Sequence, residues 1–172
     1  MTMFRNAALA ATILLTVAGS QAHADAQLDR GKYLVSIGGC NDCHTPGSQF
    51  GKPEMSRYLA GSNIGFEIPG LGVFVPRNLT PDKETGLGNW TAEEIITALT
   101  TGKRPDGRVL APVMPWQGYS VMTKEDSMAV AMFLKSIPPV KNVIPGPFGP
   151  NEKIPVFVDK IVPGDAMSPP GK

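Results

Sequence analysis

The chain is poor in the residues that most often carry chemistry. Among 172 residues it has two cysteines and two histidines. Two cysteines exclude the disulfide frameworks that staple small secreted domains. They also cannot by themselves build a four-thiolate zinc site or an iron–sulfur cluster. Any sulfur chemistry therefore falls to one pair. Charge is scarce and balanced: 18% of residues are charged and the net charge is +1, which gives no support to a polyanion-binding role and argues against nucleic acid as a partner. Long apolar runs are missing beyond the first stretch, so no later segment reads as a membrane span. Chain breakers, by contrast, are plentiful, with 19 Gly and 17 Pro. They follow no collagen period, and an apolar fraction of 42% is too high for a disordered chain. Long helices and a large sheet are disfavoured. The length fits one domain with tails.

The first residues read as an export signal. Arg5 is the only charge before Asp25, Ala7 to Val17 is apolar apart from two threonines, and Ala22 and Ala24 bracket His23. This is the positive, apolar, small-x-small order of a secretory leader, with cleavage expected after Ala24 and a periplasmic mature chain. The rival is an uncleaved anchor in the inner membrane, for which the apolar core is short. The expected organisation is a leader over 1–24, a main domain over 25–140 and a Pro-rich extension over 141–172. Cleavage would remove Arg5 and bring the net charge to zero. It would also remove His23, leaving His44 as the one histidine.

The remaining histidine and both cysteines fall in one pentapeptide, Cys40-Asn41-Asp42-Cys43-His44. This is C-x-x-C-H, the attachment motif of c-type haem. Two thiols three positions apart lie on one side of a turn and can add across two vinyl groups of one porphyrin. The adjacent imidazole then reaches the iron from the same side. A thioredoxin-like redox pair would need a βαβ setting, which the surrounding sequence lacks. A zinc site would need a fourth strong ligand from a chain with no other Cys or His.

With no second histidine, the sixth iron ligand narrows to Met, Lys or an open position. Six methionines lie beyond the leader. Met128 and Met132 fall in an expected helix, Met55 in a polar loop and Met167 in the Pro-rich tail, leaving Met114 and Met122. Met114 is flanked by Pro112 and Pro115, which favour a stiff, extended loop able to hold a thioether in place. Met122 immediately precedes a helix start and reads as a packing residue. Met114 is favoured. His/Met ligation closes the iron to substrates and suits electron transfer. An open or displaceable sixth position would describe a haem enzyme or gas sensor.

The pattern predicts an all-α domain of three to four short helices around one covalently bound haem, with long Gly/Pro-rich loops. Helices are expected over Ala26–Ile37, Ala92–Thr101 and Lys124–Ser136. Thr91 with Glu94 forms a capping box for the second, and Thr123 caps the third. Gly31 is costly in mid-helix unless something must approach closely. A small hairpin is expected over Phe66–Val75, around Pro69-Gly70. Residues 138–172 hold nine prolines and predict a stiff, extended strap.

Over roughly residues 29–145 this layout resembles a class I cytochrome c. More closely, it is similar to the monohaem domains that accept electrons from periplasmic dehydrogenases. The shared stretches are Gly31-Lys32-Tyr33-Leu34, Asn78-Leu79-Thr80-Pro81-Asp82, Gly86-Leu87-Gly88-Asn89-Trp90-Thr91, Met114-Pro115-Trp116 and Phe133 through Val140. The resemblance implies that Gly31 meets Phe133 and that Met114 is the distal ligand. It also implies a dehydrogenase donor and a cytochrome or oxidase acceptor, with no catalysis by the chain itself. Trp116 and Tyr119 are candidates to line the haem pocket. Arg77, Asn78 and Trp90 are candidates to hydrogen-bond its propionates.

Overall fold

The computed structural model describes residues 23–162. The expected leader, apart from its last two residues, lies outside them, as does the end of the Pro-rich extension. The described chain opens in helix α1 (23–37). Its end is set by two glycines: Gly38 N–H returns to Leu34 O at 2.8 Å, and Gly39 takes the left-handed conformation (φ 66). The next turn is α2 (Cys40–His44), which carries the whole C-x-x-C-H motif.

The second expected helix is α3 (Ala92–Thr101). Thr91 and Glu94 form the anticipated capping box, and Gly102 closes the helix in the left-handed region. A single turn, α4 (Trp116–Tyr119), follows. Then comes α5 (Lys124–Ser136), capped by Thr123 Oγ1, which accepts the Asp126 N–H at 3.0 Å. Helices α3 and α5 pack against each other, with Ile95, Val130, Ala131, Phe133 and Leu134 in the core beside Val35 from α1.

The packing of α1 on α5 accounts for Gly31. A Cβ built there would lie 2.7 Å from the Phe133 Cβ and closer still to the Ala129 carbonyl oxygen. The glycine therefore marks a crossing at which one backbone meets another, the contact with Phe133 that the resemblance implied. An Arg30–Asp126 ion pair with two hydrogen bonds, 2.8 and 3.0 Å, ties the same two helices at the surface.

The all-α expectation is incorrect. Besides five helices, of which three are long, the described residues form a three-stranded mixed sheet. Strands β1 (Ile64–Ile68) and β2 (Gly72–Phe74) make the hairpin, paired Phe66 with Phe74 and Ile68 with Gly72. The third strand, β3 (Phe157–Asp159), comes from the Pro-rich extension and runs parallel to β1, Ile64 opposite Phe157. All three β3 residues are exposed, so the strand has no alternating burial pattern for a sequence to reveal. Its partner is distant, and parallel pairing leaves no local turn signal.

The loop around Met114 also differs from expectation. It is not extended: the Met114 N–H returns to Ala111 O at 2.9 Å, closing a tight turn with Pro112 at its second position. Proline's fixed φ serves a turn there as well as it serves an extended segment. Among the described residues no helix is long and apolar enough to cross a membrane.

Candidate haem site

His44 ends α2 and is buried, 8% exposed. Its Nδ1–H donates to the Arg77 carbonyl oxygen at 2.7 Å. A carbonyl can only accept, so this bond fixes the tautomer and leaves the Nε2 lone pair available to a metal. The backbone is fixed too: the Gly61 N–H donates to His44 O at 2.8 Å. Burial pushes the His44 pKa below its usual value, with the Arg77 bond opposing. The imidazole is thus neutral and ligand-competent at pH 7.

Cys40 and Cys43 are free, half-buried thiols in the same helical turn. Burial raises the Cys40 pKa to about 11 and moves Cys43 in the same direction. Both are protonated at neutral pH. Cys40 opens onto an apolar cleft whose walls include Leu34, Ile37, Leu99, Tyr119, Met122 and Val130. Tyr119 donates its hydroxyl to Gly38 O at 2.7 Å, which fixes the ring against the end of α1. Its own pKa is raised by burial and by the nearby cysteines.

The two methionines differ in setting. Met122 packs half-buried on the core and contributes to the cleft wall. Met114 is half-buried in its turn, and its carbonyl accepts the Trp116 N–H at 2.8 Å. The Trp116 ring lies against Gly102 at the end of α3, leaving no room there for a Cβ.

The expected propionate ligands separate into two groups. Asn78 is almost fully buried, 1% exposed. Its amide donates to Val140 O at 2.7 Å and Thr85 Oγ1 at 3.0 Å, while its oxygen accepts from the Thr80 backbone and hydroxyl. Both of its N–H groups are thus used within the protein. Trp90 packs on the core, its carbonyl accepting from Lys135 Nζ at 2.6 Å. The Arg104 guanidinium sits 5.8 Å from the Trp90 ring centre.

Arg77, Arg104 and Arg108 form a cationic group that sequence inspection had only partly found. Their charges are close enough that Arg104 and Arg108, after burial, lower the Arg77 pKa. Among the described residues their only ion pairs run to Asp106, from Arg104 at 3.1 Å and Arg108 at 2.6 Å. Arg104 Nε is buried with no hydrogen-bond partner. The Arg77 guanidinium donates to the Ile144 and Gly146 carbonyls, so it is Arg104 and Arg108 against one carboxylate, with an orphaned buried donor, that fit a further anion (here the carboxylates of a haem). With the free thiols, the oriented imidazole and the apolar cleft, the residues fit the group that C-x-x-C-H predicts. The sequence signal for Arg104 and Arg108 was the Arg-Pro-Asp-Gly-Arg turn, which is indistinguishable by pattern from any charged loop.

Leu59 is a second residue that sequence reading missed. It is fully buried yet has φ 57, the only non-glycine in the left-handed region among the described residues. Its N–H donates to Thr45 Oγ1 at 2.9 Å, and its carbonyl accepts the Leu79 N–H at 2.8 Å. Those bonds hold the strained residue where Gly61 can reach the His44 backbone.

Comparison with known proteins points to cytochrome subunits. No family model matches the chain. It is 36% identical over 138 residues to the cytochrome c subunit of a quinone alcohol dehydrogenase from Gluconobacter oxydans, covering 77% of this chain and 27% of that protein. It is 35% identical to the fructose dehydrogenase cytochrome subunit of Gluconobacter japonicus, covering 70% of this chain and 24% of that one. It is 34% identical to the gluconate 2-dehydrogenase cytochrome c subunit of Pantoea cypripedii, with 67% and 24% covered. The chain spans about a quarter of the length of these relatives. It is related to electron-transfer subunits of dehydrogenases rather than to catalytic ones.

Proposed function

We propose that the chain is a periplasmic c-type cytochrome, carrying single electrons from a dehydrogenase to a downstream respiratory acceptor. The observation that carries this reading is the geometry at His44. Its Nδ1–H is committed to Arg77 O, and its Nε2 is free beside two unpaired thiols in the same turn. Haem, when bound, supplies a one-electron iron couple. Cys40 and Cys43 would anchor one such group covalently, two thiols being sufficient for one haem and no more. His44 would be the proximal ligand and Met114 the distal one, held by a turn that Pro112 stiffens. Trp116 and Tyr119 would line the pocket, and Arg104 with Arg108 would meet the propionates.

Dehydrogenase partnership is supported by the names of the relatives, and export by the Arg5 leader pattern. The near-neutral charge points to docking through local patches rather than long-range steering.

The test is spectroscopic and kinetic. The full chain, produced with haem-attachment machinery, should carry one covalent haem and show a methionine–iron charge-transfer band when oxidised. When reduced, it should resist carbon monoxide. Met114→Ala should abolish the band, whereas Met122→Ala should keep it; the reverse result would move the ligand to Met122. Ready carbon monoxide binding by the wild type would overturn the electron-transfer reading. Stopped-flow mixing with a quinone-dependent alcohol dehydrogenase should reduce the haem, and failure with every periplasmic donor tried would remove the proposed partner class.

A further inference from the structure

The Pro-rich extension is not a loose tail over its described part. Residues 140, 142, 144 and 146, every second position of an extended segment, each make a bond or contact to the main domain. Val140 O accepts from Asn78 Nδ2 at 2.7 Å, and the Val140 N–H donates to Thr80 Oγ1 at 3.1 Å. The Asn142 N–H donates to Thr85 Oγ1 at 3.0 Å and its side chain donates to Ala60 O at 2.8 Å. The Arg77 guanidinium donates to the carbonyls of Ile144 and Gly146.

The bonds of Val140 and of the Asn142 N–H go to Asn78, Thr80 and Thr85. The Asn142 side chain, Ile144 and Gly146 instead reach Ala60-Gly61 and Arg77, and His44 is held by Gly61 and Arg77: the Gly61 N–H donates to His44 O, and His44 Nδ1–H donates to Arg77 O. The Ile144 side chain lies directly on Gly61, where an added Cβ would meet its Cγ1 at 2.7 Å. One face of the strap therefore presses the segment that clamps the histidine backbone. The same strap supplies the carbonyls that occupy the side chain of the residue clamping the imidazole.

We propose that the strap, through Asn142 and Ile144, positions the imidazole of His44 for iron. These are positioning residues: neither touches His44, and they act through Ala60-Gly61, while Arg77 ties the strap to the second clamp. The proposal rests on the haem reading given above. Its physical basis is that a hydrogen bond from a ligand's second nitrogen fixes ring orientation and raises ligand basicity. Loosening the strap lets the bond to Arg77 O lengthen. That weakens electron donation to the metal and favours the reduced state.

The test compares haem-loaded full chains. Asn142→Ala/Ile144→Ala should retain covalent haem and shift the EPR g values and the hyperfine-shifted ring resonances of His44. It should also raise the one-electron reduction equilibrium about tenfold, equivalent to about 59 mV. Ile144→Val in the Asn142→Ala background should recover part of the change. Phe157→Ala, which disturbs the extension where β3 pairs with β1 and packs on Phe50, should lower thermal stability without moving the g values. Unchanged g values and potential in the double variant overturn the proposal. So does an equal shift from Phe157→Ala, which would mark a merely structural role. Should the double variant lose its haem, Asn142→Ala alone, which removes one hydrogen bond, is read by the same criteria. Absence of haem from the wild type would defeat only the functional reading. In that chain, exchange of the Gly61 amide still decides: a tenfold acceleration in the double variant supports the strap's role, and equal protection overturns it.

Discussion

Replacing Gly31 with alanine adds one methyl group at the point where α1 crosses α5, and its cost can be worked from the contacts there. The added carbon would sit 2.7 Å from both the Phe133 Cβ and the Ala129 carbonyl carbon. Comfortable carbon contact begins roughly 1 Å further out. Two of the three nearest atoms belong to the α5 backbone, so no rotamer change relieves the clash, and the helices must separate. Overpacking of this kind costs about 1–3 kcal/mol, here toward the upper end because backbone must move. Against it stands the helix-propensity gain of Gly→Ala, about 1 kcal/mol. The net expectation is a loss of about 2 kcal/mol, or a fall in Tm of roughly 4–8 °C for a domain of this size. Gly118→Ala is the matched control: Gly118 lies in α4 with nothing within 4 Å of an added Cβ, so it should stabilise by up to about 1 kcal/mol. Urea unfolding of the three haem-loaded proteins measures all of this, provided the m-values agree. A Gly31→Ala variant as stable as the wild type would refute the close-crossing account, because propensity alone would then have decided the sign.

Other consequences are equally open to measurement. Truncating the buried, left-handed Leu59 to alanine should destabilise by about 3 kcal/mol in the same assay; a loss below about 1 kcal/mol would mean that the site collapses freely. The Asp106 carboxyl, hydrogen-bonded by Arg108, is held down to about 2. A carbon-detected NMR titration should find its midpoint near that value, and Arg108→Ala should return it toward the ordinary 3.8. Asp82 and Asp126 are shifted the same way, by Thr85 and Arg30 respectively. With folded-state values below unfolded ones, the stability these carboxylates contribute is present above pH about 4 and is lost as pH falls toward 2. Acid unfolding that begins well above pH 5 would point to other groups. Before haem attachment, Cys40, raised to about 11 by burial, should alkylate roughly a hundredfold more slowly than an exposed cysteine at neutral pH. Equal rates would show that the turn opens freely in the haem-free chain.

The parts of the fold that were legible in the sequence are those with local causes. Both capped helices were readable because Thr91, Glu94 and Thr123 act within one turn of the residues they cap. Gly31 was readable because a glycine in mid-helix needs a reason, although its partner Phe133 was known only through resemblance. The pentapeptide was readable because its chemistry is contained in five consecutive positions. What escaped depends on distant partners. Strand β3 is specified by β1, not by its own exposed residues. The cationic group joins Arg77 to a turn nearly thirty positions later, and only the folded chain shows Arg104 Nε without a partner. Asn78 looked like a group free to bind a ligand. Its two donors are instead spent on Thr85 and Val140, the latter a residue of the distant strap.

The strap also has a consequence in time. The Asn142–Ala60 bond spans 82 positions and the Arg30–Asp126 pair spans 96. Contacts of such separation form late, because a long loop must close before they can contribute. In a chain made from its N-terminus, the cysteines of α2 emerge long before Asn142 and Ile144, which brace the segment clamping the histidine. The order of synthesis thus leaves an interval in which the thiols are made and the strap is not yet in place. The strap closes that interval, so it acts as a latch fastened late in the folding of the segment that carries the pentapeptide.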